Sequence, residues 1–202
     1  MLALVACQPG GPTPSSGGPT PGASQPAPGA SAAADHLAAA IEGLAAGYTF
    51  DTTVSVGGQV ATHVFGRSAG GASDFVVESN GAEITYRTIP PRSWVKQAGK
   101  PWVAVDSGVP DGDPLAALTK PSSVTVTADD PNGLRLQASY PPAALGLTGT
   151  KPVEVTISVA PDGSVQASYG VPLGAGRATS LTTLTPSPGQ EPIVAPSPIA
   201  TV

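Results

Sequence analysis

Three observations predict an α+β domain built on one curved antiparallel sheet. Apolar and polar residues alternate with period two through most of residues 48–184, the alternating runs are short, and nearly all are joined by Gly, Asn, Asp or Pro turns. Helical spacing is confined to one stretch before these runs and to short stretches between them.

Asp35 is a good helix N-cap, and Leu37, Ile41 and Leu44 follow at i, i+4 and i+7 until Gly47 ends the pattern. From Tyr48 the period becomes two: Tyr48, Phe50, Thr52, Val54 and Val56 share one face, and Thr49, Asp51, Thr53 and Ser55 the other. Gly57-Gly58 turns the chain into a second strand from Gln59 to Phe65. Asn80-Gly81, the strongest short hairpin signal, joins Ser73–Ser79 to Ala82–Ile89. Ser93–Lys96 and Trp102–Val105 flank Gln97-Ala98-Gly99-Lys100. Asp113-Pro114-Leu115-Ala116-Ala117-Leu118 predicts a short helix with Asp113 as cap and Pro114 at its first position. Ser122–Ala128 and Leu134–Tyr140 flank Asp129 to Gly133, and Pro141 to Leu145 predicts one further helical turn. Val153–Val159 and Ser164–Tyr169 flank Pro161-Asp162-Gly163, and Arg177–Leu184 closes the domain. Roughly ten or eleven strands result, arranged as an antiparallel meander with helices on one face.

The 202 residues carry 24 prolines and 25 glycines, many of them near the two ends. Residues 8–34 and 186–202 have too few apolar side chains to offset their ordering entropy, and both are expected to be disordered. A single domain over 35–185 remains, of a size that buries most of its unfolded surface. Nine Lys and Arg against fourteen Asp and Glu leave no basic field for phosphates, so nucleic acid is not an expected partner. No run of eighteen apolar residues predicts a membrane-spanning helix. One cysteine and the two histidines His36 and His63 argue against an internal disulfide, a bound metal or any other cofactor, and a monomer is expected.

The inward positions of the later strands are Val124, Val126, Leu134, Leu136, Ala138, Val153, Val155, Ile157 and Val159, and aromatic residues make up only 4% of the chain. A large sheet with small inward side chains must close, add a layer or enclose a cavity. A hollow interior and a core merely shrunk by an Ala-, Gly- and Val-rich composition both fit this pattern. Arg87, Arg92, Lys96 and Lys100 gather four of the nine cations on one hairpin. Arginine forks suit lipid phosphates, which makes Arg87 and Arg92 candidate headgroup ligands, while a solvated hairpin face explains them equally. Asp111-Gly112-Asp113 and Asp129-Asp130 lack the ligand ladder of a calcium loop and fit turn and cap chemistry. There is no G-x-S-x-G elbow, no phosphate-cradling glycine loop and no carboxylate pair at motif spacing, so an enzyme is not expected.

The first seven residues, MLALVAC, resemble the lipobox of bacterial lipoproteins at Leu4, Val5, Ala6 and Cys7. That resemblance implies cleavage before Cys7, lipid attachment to it, and anchoring on the outer face of the cell membrane. Only six residues precede Cys7 and none is basic, so residues 1–7 read as a truncated signal sequence whose true start lies upstream. The Pro, Gly, Ser and Thr run that follows has the composition of a tether.

Further along, YTFDTTVSVGGQVATHVFG, the Asn80-Gly81 hairpin, the SWVK and GKPWVAV pair and the DPLAAL helix follow in an order that resembles the LppX/LprG-type lipoproteins of actinobacteria, which are similar in fold to the LolA and LolB carriers. The resemblance implies an antiparallel half-barrel that holds lipid under a lid of helices. It supplies no catalytic residues, and only Cys7 matches position by position. From alternation, the candidate cavity residues are Phe50, Val54, Ile84, Tyr86, Trp94, Trp102, Val126, Leu136 and Ile157, each with plain core packing as its rival role. The expected function is a membrane-anchored lipoprotein that binds and carries or presents lipid at the cell envelope. The alternative is a tethered interaction or scaffold module without a ligand.

Overall fold

The computed structural model describes residues 28–106, 113–174 and 176–197. Helix α1 (Pro28–Leu44) leads into strands β1 (Tyr48–Val56), β2 (Gln59–Ala69), β3 (Ala72–Ser79), β4 (Ala82–Ile89), β5 (Arg92–Gln97) and β6 (Val103–Val105). Helix α2 (Pro114–Leu118) separates these from β7 (Ser123–Asp130) and β8 (Gly133–Tyr140). A 3-10 turn at Pro142–Leu145 then precedes β9 (Val153–Val159), β10 (Val165–Leu173) and β11 (Gly176–Pro186).

All eleven strands form one curved antiparallel sheet in the order β6-β5-β4-β3-β2-β1-β11-β10-β9-β8-β7. This is two meanders rather than one, joined through β1 and β11, in register from Tyr48 opposite Pro186 to Val56 opposite Ala178. β6 and β7 are the two edges, so the sheet does not close and the chain between them must travel from one edge to the other. Helix α2 lies on that connection.

The concave face carries the core. Phe75, Leu136, Tyr140, Val155, Ile157, Val165 and Leu184 are fully buried there, together with Leu44 of α1. α1 presents Ala33, Leu37 and Leu44, one stripe at helical spacing, and packs chiefly against β7 and less against β11. The second meander is therefore filled by α1, whereas α2 and the 3-10 turn stand over the cavity beside the first.

Both ends of the domain differ from expectation. The helix starts at Pro28, so Asp35 lies exposed in its second turn instead of capping it. The Ala-rich run before Asp35 has the highest helix propensity available, and Ala33 is buried in the core. At the other end, β11 runs to Pro186 and residues 187–197 lie against the sheet, with Ile193 and Pro196 buried. The expected disordered tail is thus a packed strap up to 197, because a few anchoring side chains outweigh its loop-like composition. Cys7, the lipobox and the tether up to residue 27 lie outside the described residues, as do residues 198–202.

Candidate functional site

The first meander builds an aromatic row across three strands of the concave face. Tyr48 and Phe50 stand 6.2 Å apart by ring centroids, as do Phe50 and Phe75, and Tyr86 stacks on Phe75 at 5.2 Å. Phe50 and Phe75 reach each other across β2 because Gly66 stands in register between them. A Cβ at Gly66 would collide with the Asp74 carbonyl oxygen and with Phe75. The glycine is thus what brings the two rings together over the strand that separates them.

Beside this row lies a cavity of about 400 Å³. Its floor is Phe50 and Val54 of β1, Val64 of β2, Phe75 and Val77 of β3, and Val155, Ala167 and Tyr169 from the second meander. Pro114, Ala117 and Leu118 of α2 and Leu145 of the 3-10 turn also line it. The polar lining consists of hydroxyls, with Thr52 and Thr182 hydrogen bonded to each other at 2.9 Å and Thr62 and Ser180 nearby. Among the described residues, no Asp, Glu, Lys, Arg or His lines it. Two other hollows of similar or larger size do carry charge: one holds Asp130 and Arg135, the other, about 670 Å³, holds Lys151, Glu154 and Arg177.

Two tyrosines hold the roof. The Tyr48 hydroxyl donates to the Asp113 carboxylate, which also accepts from the Leu115 and Ala116 amides at 3.0 and 3.2 Å as the N-cap of α2. The Tyr140 hydroxyl donates to the Leu118 carbonyl at the other end of the helix, at 3.0 Å. Burial pushes the Tyr140 phenol up to about 12, and burial followed by the Asp113 hydrogen bond raises that of Tyr48 still further. Both stay protonated, and both donate throughout the physiological range. A helix of five residues has little stability of its own, so these two bonds and Leu115 and Leu118, both buried, define its position.

Of the nine candidate cavity residues, Phe50 and Val54 line the cavity. Ile84 and Tyr86 share the concave face beyond it, Tyr86 packing on Phe75. Leu136 and Ile157 are fully buried in the core of the second meander, and Val126, opposite Leu136 beside a bulge, is 40% exposed. Trp94 and Trp102 are on the other face of the sheet. Tyr86 pairs with Val95, which sends Val95 inward and Trp94 outward beside its partner Arg87. Trp102, one residue before Val103 of β6, has the Arg87 guanidinium over its ring at 5.2 Å. The candidate headgroup residues are therefore not at the cavity: Arg87 is bound to Asp74 on the convex face at 2.5 Å, and Arg92 is exposed on the same face. Alternation within these short runs assigns both tryptophans inward, but register with β4 decides the face.

Sequence reasoning missed Val64, Val77 and Tyr169, and it placed the α2 helix without assigning Pro114, Ala117 and Leu118 to the cavity. The alternation of β2 and β3 contains the first two, but only the β1–β11 junction brings Tyr169 opposite them. No family model and no curated protein matches this chain. The functional reading therefore rests on the cavity, its lining and the layout of the chain.

Proposed function

We propose that this chain is an envelope lipoprotein, anchored to the outer face of the cell membrane through an acylated Cys7, whose concave cavity binds the hydrocarbon tail of a lipid for carriage or presentation. The observation that supports it most is a cavity under a small helix whose described lining residues are aliphatic and aromatic side chains and hydroxyls, with no charged group among them. Its volume falls within the ~300–1,000 Å³ of small-ligand sites. Each methylene buried in such a lining contributes about 0.8 kcal/mol, whereas an ionised headgroup would find no counter-charge there and belongs outside. The cavity extends through Val54, Thr62, Tyr169 and Ser180 toward the tips of the β1–β2 and β10–β11 hairpins. Those tips expose Val56, Val60 and Leu173, apolar side chains that suit contact with a bilayer during loading. The order of lipobox, tether, helix and hairpins, which resembles the LppX/LprG-type lipoproteins, supports the same reading.

The test is native mass spectrometry of the Cys7→Ser chain, purified without detergent and incubated with extracted envelope lipids. An adduct of lipid mass is expected on this chain and absent from an Ala167→Phe variant, which fills the floor of the cavity. A bare mass for both chains, each with unchanged circular dichroism, overturns the reading and leaves a ligand-free interaction module.

A further inference from the structure

The convex face carries a built contact that the cavity does not explain. Trp94 is only 4% exposed yet stands outside the core cluster of the concave face. Its register partner Arg87 donates to the Val194 carbonyl at 3.0 Å, which brings the strap to the convex face at the residue beside Trp94. Arg67 donates to the Glu191 carbonyl at 2.8 Å and to Gln190 Oε1 at 3.4 Å, two strands away. Between these anchors Ile193 is buried and Val194 is 65% exposed, with Pro188, Pro192 and Pro196 at every fourth position. The strap leaves β11 where the Ser187 amide donates to the Gly47 carbonyl at 2.9 Å.

The chemistry of this strip is that of a peptide reader. The strap is neither helix nor strand and presents backbone carbonyls, which arginines can bond without reading side chains. Arg87 is pre-positioned by Asp74 and by the Trp102 ring, and Lys96 also stands over that ring at 5.9 Å. Proline-bracketed segments lose little backbone entropy on docking, and tryptophan-lined strips are the usual surface that accepts them. The fit of the strap is incomplete, however. Among the described residues, Arg87 Nε and Gln190 Nε2 are buried without a hydrogen-bond partner, and a segment that placed an acceptor at Arg87 Nε would not bear the cost of the first.

We propose that the convex strip of Arg67, Arg87, Trp94 and Trp102 is a docking site for an extended, proline-bracketed aliphatic segment of a partner protein, and that the chain's own strap is its resident occupant. The strap is held at the high effective concentration of a short linker, so it excludes weak competitors and yields to a segment that supplies an acceptor to Arg87 Nε. The site lies on the face opposite the cavity and does not depend on whether that cavity holds lipid.

The experiment uses the full chain with Ile193→Asp, which removes the buried anchor of the strap, and a synthetic peptide of residues 186–198. The tryptophan emission of the variant should shift to the red as Trp94 is uncovered, and peptide titration should reverse the shift saturably. The peptide should bind the variant at least tenfold more tightly than it binds the wild-type chain, and a peptide with Pro192 and Pro196 replaced by glycine at least tenfold more weakly than the parent peptide. Unchanged emission in the variant, equal affinity of the two peptides, or reversal of the shift by self-association in light scattering overturns the proposal, the last in favour of a second copy as occupant. If Ile193→Asp alters the circular dichroism, the chain with Pro192→Gly and Pro196→Gly takes its place with the same readouts.

Discussion

The two faces of the β4–β5 hairpin are one residue apart in sequence and opposite in chemistry. Tyr86 and Val95 look into a concave face whose cavity has no charged group among its described lining residues, while Arg87 and Trp94 look out onto a convex face of cations, carboxylates and indoles, where Arg67 and Arg87 bond the strap. The concave face is sealed by apolar contact with helices, so it tolerates hydroxyls and little else. The convex face is sealed by hydrogen bonds to backbone carbonyls, so it uses charge. The difference teaches that burial alone does not identify an interior: Trp94 is as buried as Phe50, yet the two sit against unrelated layers.

The sharpest way to break this comparison is to hollow the concave side where it is fully packed. Leu136→Ala, at a completely buried site of the second meander, should cost about 3 kcal/mol in denaturant unfolding, and a loss below about 1 kcal/mol would show that the second meander is not tightly packed there. Gly66→Ala comes next. Its Cβ must displace β3 backbone and part Phe50 from Phe75, which should cost about 2 kcal/mol and weaken hydrophobic-dye binding in the cavity. A neutral outcome would mean that the aromatic row is not set by the glycine.

Tyr140→Phe leaves the buried Leu118 carbonyl without its donor and should cost about 1 to 2 kcal/mol, while Tyr48→Phe frees the other end of α2. Both should speed ligand release more than either changes circular dichroism, and equal off-rates in stopped-flow dye displacement would remove α2 as the roof.

The smallest effect belongs to the convex face. His63 bridges Asp51 at 2.9 Å and Glu78 at 3.2 Å, and these two hydrogen bonds, Asp51 first, raise its affinity for a proton. A raised folded value means that the contribution is fully present below the ordinary histidine value of about 6.5 and is lost as pH rises through the folded one. The His63→Gln variant should therefore fall below the wild type in Tm by about a degree or two near pH 5.5 and match it near pH 8.5, with added salt shrinking the gap. A gap that widens toward pH 8.5 would reverse the assignment.

Local chemistry made much of the fold legible. The Asn80-Gly81 turn, the Gly57-Gly58 turn and the Asp113-Pro114 cap and first position each act within a few residues, and the strands and α2 lie where those signals place them. Alternation also placed Phe50 and Val54 on the correct face. It failed for Trp94 and Trp102 because the short β5 and β6 do not fix their own parity, which β5 takes from its register with β4 and β6 from β5.

By itself the sequence determined the α+β class, the number and limits of most strands, and the candidacy of the concave face, because hairpins and alternation depend on contacts close in the chain. The tertiary structure alone decided the pairing of β1 with β11, the closing of a cavity between two meanders and the docking of the strap. Those features join residues more than a hundred positions apart, as with Arg67 and Glu191, and the free energy that selects them comes from burial and hydrogen bonds that no local pattern encodes.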